Sequence, residues 1–111
     1  MDLVNANRTE AGVVTLLPRS DAIAKAQAWA EHMAAQGAIS HSSVADGMID
    51  DWKMLGENVG VGPSMDAVEA AFMASPVHRS NILDPRFNSL GTGVAVGADG
   101  RTYVVQVFAQ Y

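Results

Sequence analysis

The chain has 111 residues, 12 acidic against 7 basic side chains for a net charge of -5, and no cysteine. That length holds one domain, and the missing cysteines exclude disulfides, thiolate metal centres and a cysteine nucleophile. The basic residues are scattered and no apolar run approaches the ~20 residues of a membrane span, so neither nucleic acid nor a transmembrane segment is expected.

Residues 3–11 read as a first helix, ended by Gly12, and Leu16-Leu17-Pro18 as a connector. Ser20 or Asp21 then caps a strong helix to Gln36, with Gly37 in the C-terminal capping place. Ile23, Ala26, Ala30 and Met33 fall on its inner face with Trp29 beside it, and Lys25, His32 and Gln36 on the outer face. A short helix is expected around Met48–Trp52, then a strand over Glu57–Val61 that Gly60, Gly62 and Pro63 break. Ser64 caps the next helix, whose first turn gains from Asp66, whose inner face carries Met65, Val68 and Phe72, and which Pro76 ends. Residues 90–96 and 102–111 are two strands joined by the turn Ala98-Asp99-Gly100. Helices flanking such a hairpin define an α+β fold, as a three-layer α-β-α sandwich with a small antiparallel sheet spanning residues 1–111.

Three histidines are candidates for chemistry. His32 reads as solvated on a polar helix face. His41, in Ile39-Ser40-His41-Ser42-Ser43, follows a helix end, where a loop on a rigid element can present a ring to a cleft. Glu57 enters a strand in Gly56-Glu57-Asn58-Val59, and His78 follows a helix end in Ser75-Pro76-Val77-His78-Arg79-Ser80-Asn81. Arg79 could also clasp helix-terminal carbonyls and Asn81 cap the turn that follows. Two imidazoles and a carboxylate suit a zinc site or general acid–base work, although their spacing is no local metal signature. No Gly-x-Ser-x-Gly, P-loop or EF-hand pattern occurs.

Taken in order, Leu3-Val4-Asn5-x-x-Arg8, the Gly-Glu-Asn segment, Ser75-Pro76-x-His78-Arg79-x-Asn81-Ile82-Leu83, Gly91-x-Gly93-Val94 and Tyr103–Phe108 resemble the bacterial CAP domain, of the cysteine-rich secretory and pathogenesis-related protein superfamily. The resemblance covers residues 3–111. It implies an α-β-α sandwich with a central cleft, in which His41, Glu57 and His78 match cleft residues and the two histidines can hold a divalent metal, usually zinc. It also implies that Arg79 and Asn81 shape the loop carrying the second histidine, and that Asn58 and Gln106 belong to the same region. Val77 stands where relatives have glycine, Phe72 where they often have tryptophan, and Ser75 where larger members have a second cleft glutamate; Glu69 should point elsewhere.

The resemblance implies an extracellular or cell-envelope location and a partner that is a protein, a lipid or an envelope component. Residues 1–5 do not read as a signal peptide, so on this reading a leader lies outside the sequence given. A monomeric binding module with a His/Glu cleft is the first expectation. A zinc-dependent hydrolase with His41 and His78 as ligands and Glu57 as general base is the second, and a purely structural surface scaffold the third.

Overall fold

The computed structural model describes residues 2–111. Eight elements follow one another: α1 (Asp2–Glu10), β1 (Leu17–Pro18), α2 (Ser20–Gln36), β2 (Met54–Gly62), α3 (Met65–Ala74), α4 (Pro76–Leu83), β3 (Ser89–Val96) and β4 (Thr102–Gln110). The sheet order is β1-β3-β4-β2. β4 pairs antiparallel with β2 and with β3, and the two-residue β1 joins β3 in parallel. The connector expected at Leu17–Pro18 is therefore an edge strand, which makes the sheet mixed.

One layer is α2, packed on the face of the sheet formed by Val59, Tyr103, Val105, Val107 and Ala109. The other layer is α1, α3 and α4, whose Val4, Val68, Phe72 and Ile82 meet Leu90, Val104 and Phe108. Consecutive residues of β4 feed both cores, as a central strand covered on two sides must.

The inner face of α2 is Ala22, Ala26, Ala30 and Met33, while Ile23 is exposed, against expectation. The reason lies across the interface. A Cβ at Gly91 or Gly93 would sit 2.1 or 2.3 Å from the backbone of Ala22 or Ala26, so the helix lies almost on the strand and only small residues fit between. α2 begins after Arg19 rather than after a capping Ser20 or Asp21, and it ends as read, with Gly37 left-handed at φ 69.

No helix forms over Met48–Trp52. Side chains from elsewhere take its backbone groups: Ile49 N donates to Asp21 Oδ2 (3.0 Å), and the Tyr111 hydroxyl donates to Ile49 O (2.7 Å). Asp51, at φ 78, leaves the right-handed helical region altogether. Gly60 and Gly62 lie inside β2 instead of breaking it. Pro76 does not simply end α3: it opens α4 at its first turn, where a missing N–H costs nothing. His78, Arg79 and Asn81 consequently stand on a helix rather than a loop.

Arg8 is fully buried and ties the second layer together. Its guanidinium donates to the carbonyls of Val14 (2.7 Å), Ile82 (2.8 Å), Asp84 (3.0 Å) and Phe87 (3.4 Å). Burial lowers its pKa from the ordinary arginine value, and the nearby Asp84 charge opposes that shift.

Candidate functional site: a histidine–carboxylate pair, an amide chain and a groove

The loop after α2 is pinned at three points. Trp29 Nε1 donates to Ser40 O (2.7 Å), Lys25 Nζ donates to Ser43 O (2.8 Å), and Ser42 N donates to Glu57 Oε1 (3.0 Å). The Ser42 hydroxyl also donates to Glu57 Oε2. Between these anchors His41 Nδ1 lies 2.9 Å from Glu57 Oε1, the carboxylate nearly buried and the imidazole 64% exposed. β2 holds Glu57 in place, and Glu57 in turn orients the ring and closes the loop over the strand.

His78 sits in the first turn of α4. Its ring stacks on Phe72 with centroids 5.0 Å apart, and its Nδ1 lies 2.8 Å from Ser75 Oγ. Phe72 thus serves as a flat support and Ser75 as an orienting partner. His32 is exposed as read, stacked on Trp29 at 4.5 Å.

Behind the histidines a chain of amides crosses the interior. Asn81 Nδ2 donates to Asn58 Oδ1 (2.9 Å), and Asn58 Nδ2 donates to His78 O and to Gln106 Oε1 (each 3.1 Å). Gln106 Nε2 donates to Glu69 Oε1 (2.7 Å), whose other oxygen accepts from Asn7 Nδ2 (2.6 Å). Asn58, Gln106 and Glu69 are buried, so each donor and acceptor in this chain depends on the next. The chain anchors α4, and with it His78, to β2, β4, α3 and α1. Glu69 bonds Gln106 and Asn7 rather than either histidine, and it links β4 to α1 in this chain. Arg79 is exposed and lines a shallow cavity with Asn7, Glu10 and Met73, and among the described residues its side chain clasps no helix-terminal carbonyl.

A groove of about 340 Å³ runs between β2 and α3 and ends at His78. Its wall on the strand side is Val59, Gly60, Val61 and Gly62, and the helix side presents Ala67, Val68, Ala71 and Phe72. Ile39, at the start of the His41 loop, also lines the groove.

The donor set answers the question of a metal only in part. Each histidine has Nδ1 engaged, by Glu57 or by Ser75, and no hydrogen bond among the described residues takes either Nε2. Such engagement is the outer-shell pattern of metal-ligating imidazoles. Among the described residues, however, no group of three or more His, Cys, Asp or Glu side chains is placed to hold a metal. The described residues therefore do not form the three- or four-ligand zinc centre of catalytic or structural sites.

The arrangement was partly visible in the sequence. The Glu57–His41 and Asn58–Asn81 contacts join residues already singled out. Asn7, Ser42 and the buried role of Glu69 were missed; Asn7 sits beside Arg8 in the Leu-Val-Asn-x-x-Arg motif, whose inward-facing polar residues on α1 were the available signal.

The cysteine-rich secretory protein (CAP) family profile matches residues 1–108, and the chain belongs to that family. Among solved structures it is similar to an outer surface protein of Borrelia burgdorferi (15% identity, TM-score 0.84, covering 98% of this chain and 87% of that one). It is also similar to an extracellular protein of Bacillus anthracis containing an SCP domain (22% identity, TM-score 0.81, 99% and 38% covered). A third is a cysteine-rich secretory protein of Staphylococcus aureus (22% identity, TM-score 0.77, 99% and 36% covered). At these identities the likeness shows the fold, and the chain spans little more than a third of the last two proteins. No curated protein matches the chain. No helix among the described residues is long and apolar enough to cross a membrane.

Proposed function

We propose that this CAP domain is a non-catalytic binding module acting outside the cytoplasm or on the cell envelope, with the groove between β2 and α3 as its ligand seat. The observation that carries the reading is the groove itself: an uncharged, mainly apolar depression with one convergent titratable side chain, His78, at its end. The amide chain holds α4 rigidly to the sheet, so His78 is pre-positioned there. The secreted and surface relatives support the location.

Two features weigh against the hydrolase. Both Glu57 oxygens are occupied by His41 and Ser42, which leaves the carboxylate poorly placed to accept a proton from water. A catalytic zinc would also lack its third protein ligand. Zinc enters this reading only as a guest of His41 Nε2 and His78 Nε2. Calorimetric titration of the metal-stripped protein should show weak zinc binding that the His41→Ala/His78→Ala variant lacks; tight stoichiometric binding would contradict the two-ligand account.

The groove is tested by nuclear magnetic resonance with a library of small apolar fragments. Fragment-induced shifts should gather on residues 59–62, on Ala71 and on the His78 ring, and vanish in Ala71→Arg, which crowds the groove from an exposed helical position. Shifts elsewhere, or none, would remove the groove as the ligand seat.

A further inference from the structure

We propose that the groove takes an extended, uncharged peptide segment of a partner protein, which joins the sheet as an added strand along Val59–Gly62. The inference rests on the groove being the ligand seat and specifies its occupant.

Among the described residues β2 is an edge strand with β4 as its only neighbour. Half of its backbone N–H and C=O groups therefore face away from the sheet. Along the first part of that edge the loop and α4 provide cover: Ser42 sits on the Glu57 carboxylate, and Asn81 Nδ2 reaches Glu57 O at 3.5 Å. From Val59 to Gly62 those contacts end, and the strand opens from buried Val59 and Gly60 to half-buried Val61 and Gly62. Among the described residues, the hydrogen bonds to this backbone come from β4 alone.

Residues 59, 60, 61 and 62 all line one groove. Successive strand side chains point to opposite faces, so a depression on one face of a sheet is walled by alternate residues. A depression walled by four in a row runs along the strand's free edge, and it is most open at half-buried Val61 and Gly62.

Composition makes that edge approachable. Gly60 is dictated by packing, since a Cβ there would lie 2.7 Å from the Phe72 ring, and Gly62 faces Val68 in the same way at 3.0 Å. The bareness that lets α3 close on the strand also removes side chains that would fend off an incoming backbone. The usual guards of an edge, a lysine, an inward charge or a bulge, are missing from Val59–Gly62, and Pro63 then ends the run. Charge selects the occupant: the twelve lining residues include no Asp, Glu, Lys or Arg in a chain of net charge -5, so the groove suits a neutral segment. Four strand residues span about 13 Å, enough to pair three or four residues of a partner. The small Ala67 and Ala71 leave room for its apolar side chains against Phe72. Main-chain bonds then supply affinity and alternate side chains specificity.

The test uses a random heptapeptide phage library selected against the immobilised domain, with the enriched peptides synthesised. Bound peptide should slow hydrogen exchange at the outward amides within residues 59–62. N-methylation of alternate peptide amides should weaken binding by at least about tenfold, the worth of one or two lost hydrogen bonds. Ala71→Arg should abolish binding while leaving the melting temperature unchanged. Peptides that bind in an Ala71→Arg-sensitive way but tolerate N-methylation and protect no amide of residues 59–62 would refute strand addition and leave the groove as a ligand seat. Selection yielding no peptide dependent on Ala71 would overturn the strand proposal, and the fragment screen would then decide the groove separately. Concentration-dependent dimerisation of the free domain with the same amides protected would assign the edge to a second copy of the chain and overturn the partner reading.

Discussion

The two faces of the sheet are built from opposite materials. Under α2 the contact is alanine on glycine, so close that main chain nearly meets main chain, and its buried side chains are apolar save Glu57 and the hydroxyl end of Tyr103. Under α1, α3 and α4 a comparable apolar cluster is threaded by Arg8, Asn58, Glu69 and Gln106. The first face has no room to change under α2 and presents only the Glu57–His41 pair at its margin. The second spends polar groups on holding α4 and its histidine in one position, and its groove opens beside them. A small domain can thus keep one face for stability and use the other for recognition, provided the polar groups on the second are nearly all satisfied.

The sharpest way to break the first face is Gly93→Ala. Its Cβ would lie 2.3 Å from the Ala26 backbone, which no rotamer can relieve, and a loss of about 3 kcal/mol or more is expected in thermal or urea unfolding. A Gly93→Ala protein of normal stability would show that α2 can shift and that the face is less rigid than described. On the second face Arg8→Met should cost nearly as much, about 3 kcal/mol, because several buried carbonyls lose a charged donor at once. Glu69→Gln keeps shape and one acceptor oxygen, so it should cost about 1 kcal/mol by unfolding and broaden the Asn58 and Gln106 side-chain amide signals.

The smallest expected effect lies in acid and away from both faces. In the β3–β4 turn the Arg101 backbone N–H, then its guanidinium, hold Asp99 at a pKa of about 2, and the Tyr103 hydroxyl donates to the same carboxylate. Asp84 is also held below the usual carboxylate value, chiefly by the Arg86 side chain. Asp21 is lowered too: burial opposes the shift, and hydrogen bonds from Ile49 N, the Arg19 side chain and Ala22 N outweigh it. A carboxylate whose pKa is depressed by folding stabilises the fold above its unfolded pKa of about 3.9, and that contribution fades as pH falls through the folded value. Melting temperature should therefore drop between about pH 4 and pH 2. Asp99→Asn should start slightly lower at neutral pH and fall less; an unchanged acid profile in the variant would contradict the turn's role.

Much of this was legible in the sequence because it is local or periodic. The α2 span and its Gly37 cap, the Ser64 cap with Ala67 N on its hydroxyl at 3.1 Å, and the alternation of β4 all follow from short-range rules. The failures came where a distant partner decides. Helical spacing placed Ile23 on the inner face, yet the touch of Gly91 and Gly93 on α2 reserves that face for alanine. Met48–Trp52 looked helical until Asp21 and Tyr111 captured its backbone. Gly60 read as a breaker because Phe72, its reason, lies 12 residues away in sequence and across a layer in space. The candidate site was legible as a set of residues, but its geometry was not. That His41 leans on Glu57 while His78 leans on Phe72 and Ser75 depends on how the layers stack, and the glutamate on the inside, Glu69, carried no local mark.

The central claim is that the groove at the free edge of β2 is where this domain meets its ligand. The most direct measurement is the fragment titration followed by backbone and histidine resonances, on the parent and on Ala71→Arg. The account predicts saturable shifts confined to residues 59–62, Ala71 and the His78 ring, all absent in the variant. Saturable shifts centred instead on the exposed His41 loop or on the cavity around Arg79, unaffected by Ala71→Arg, would contradict it.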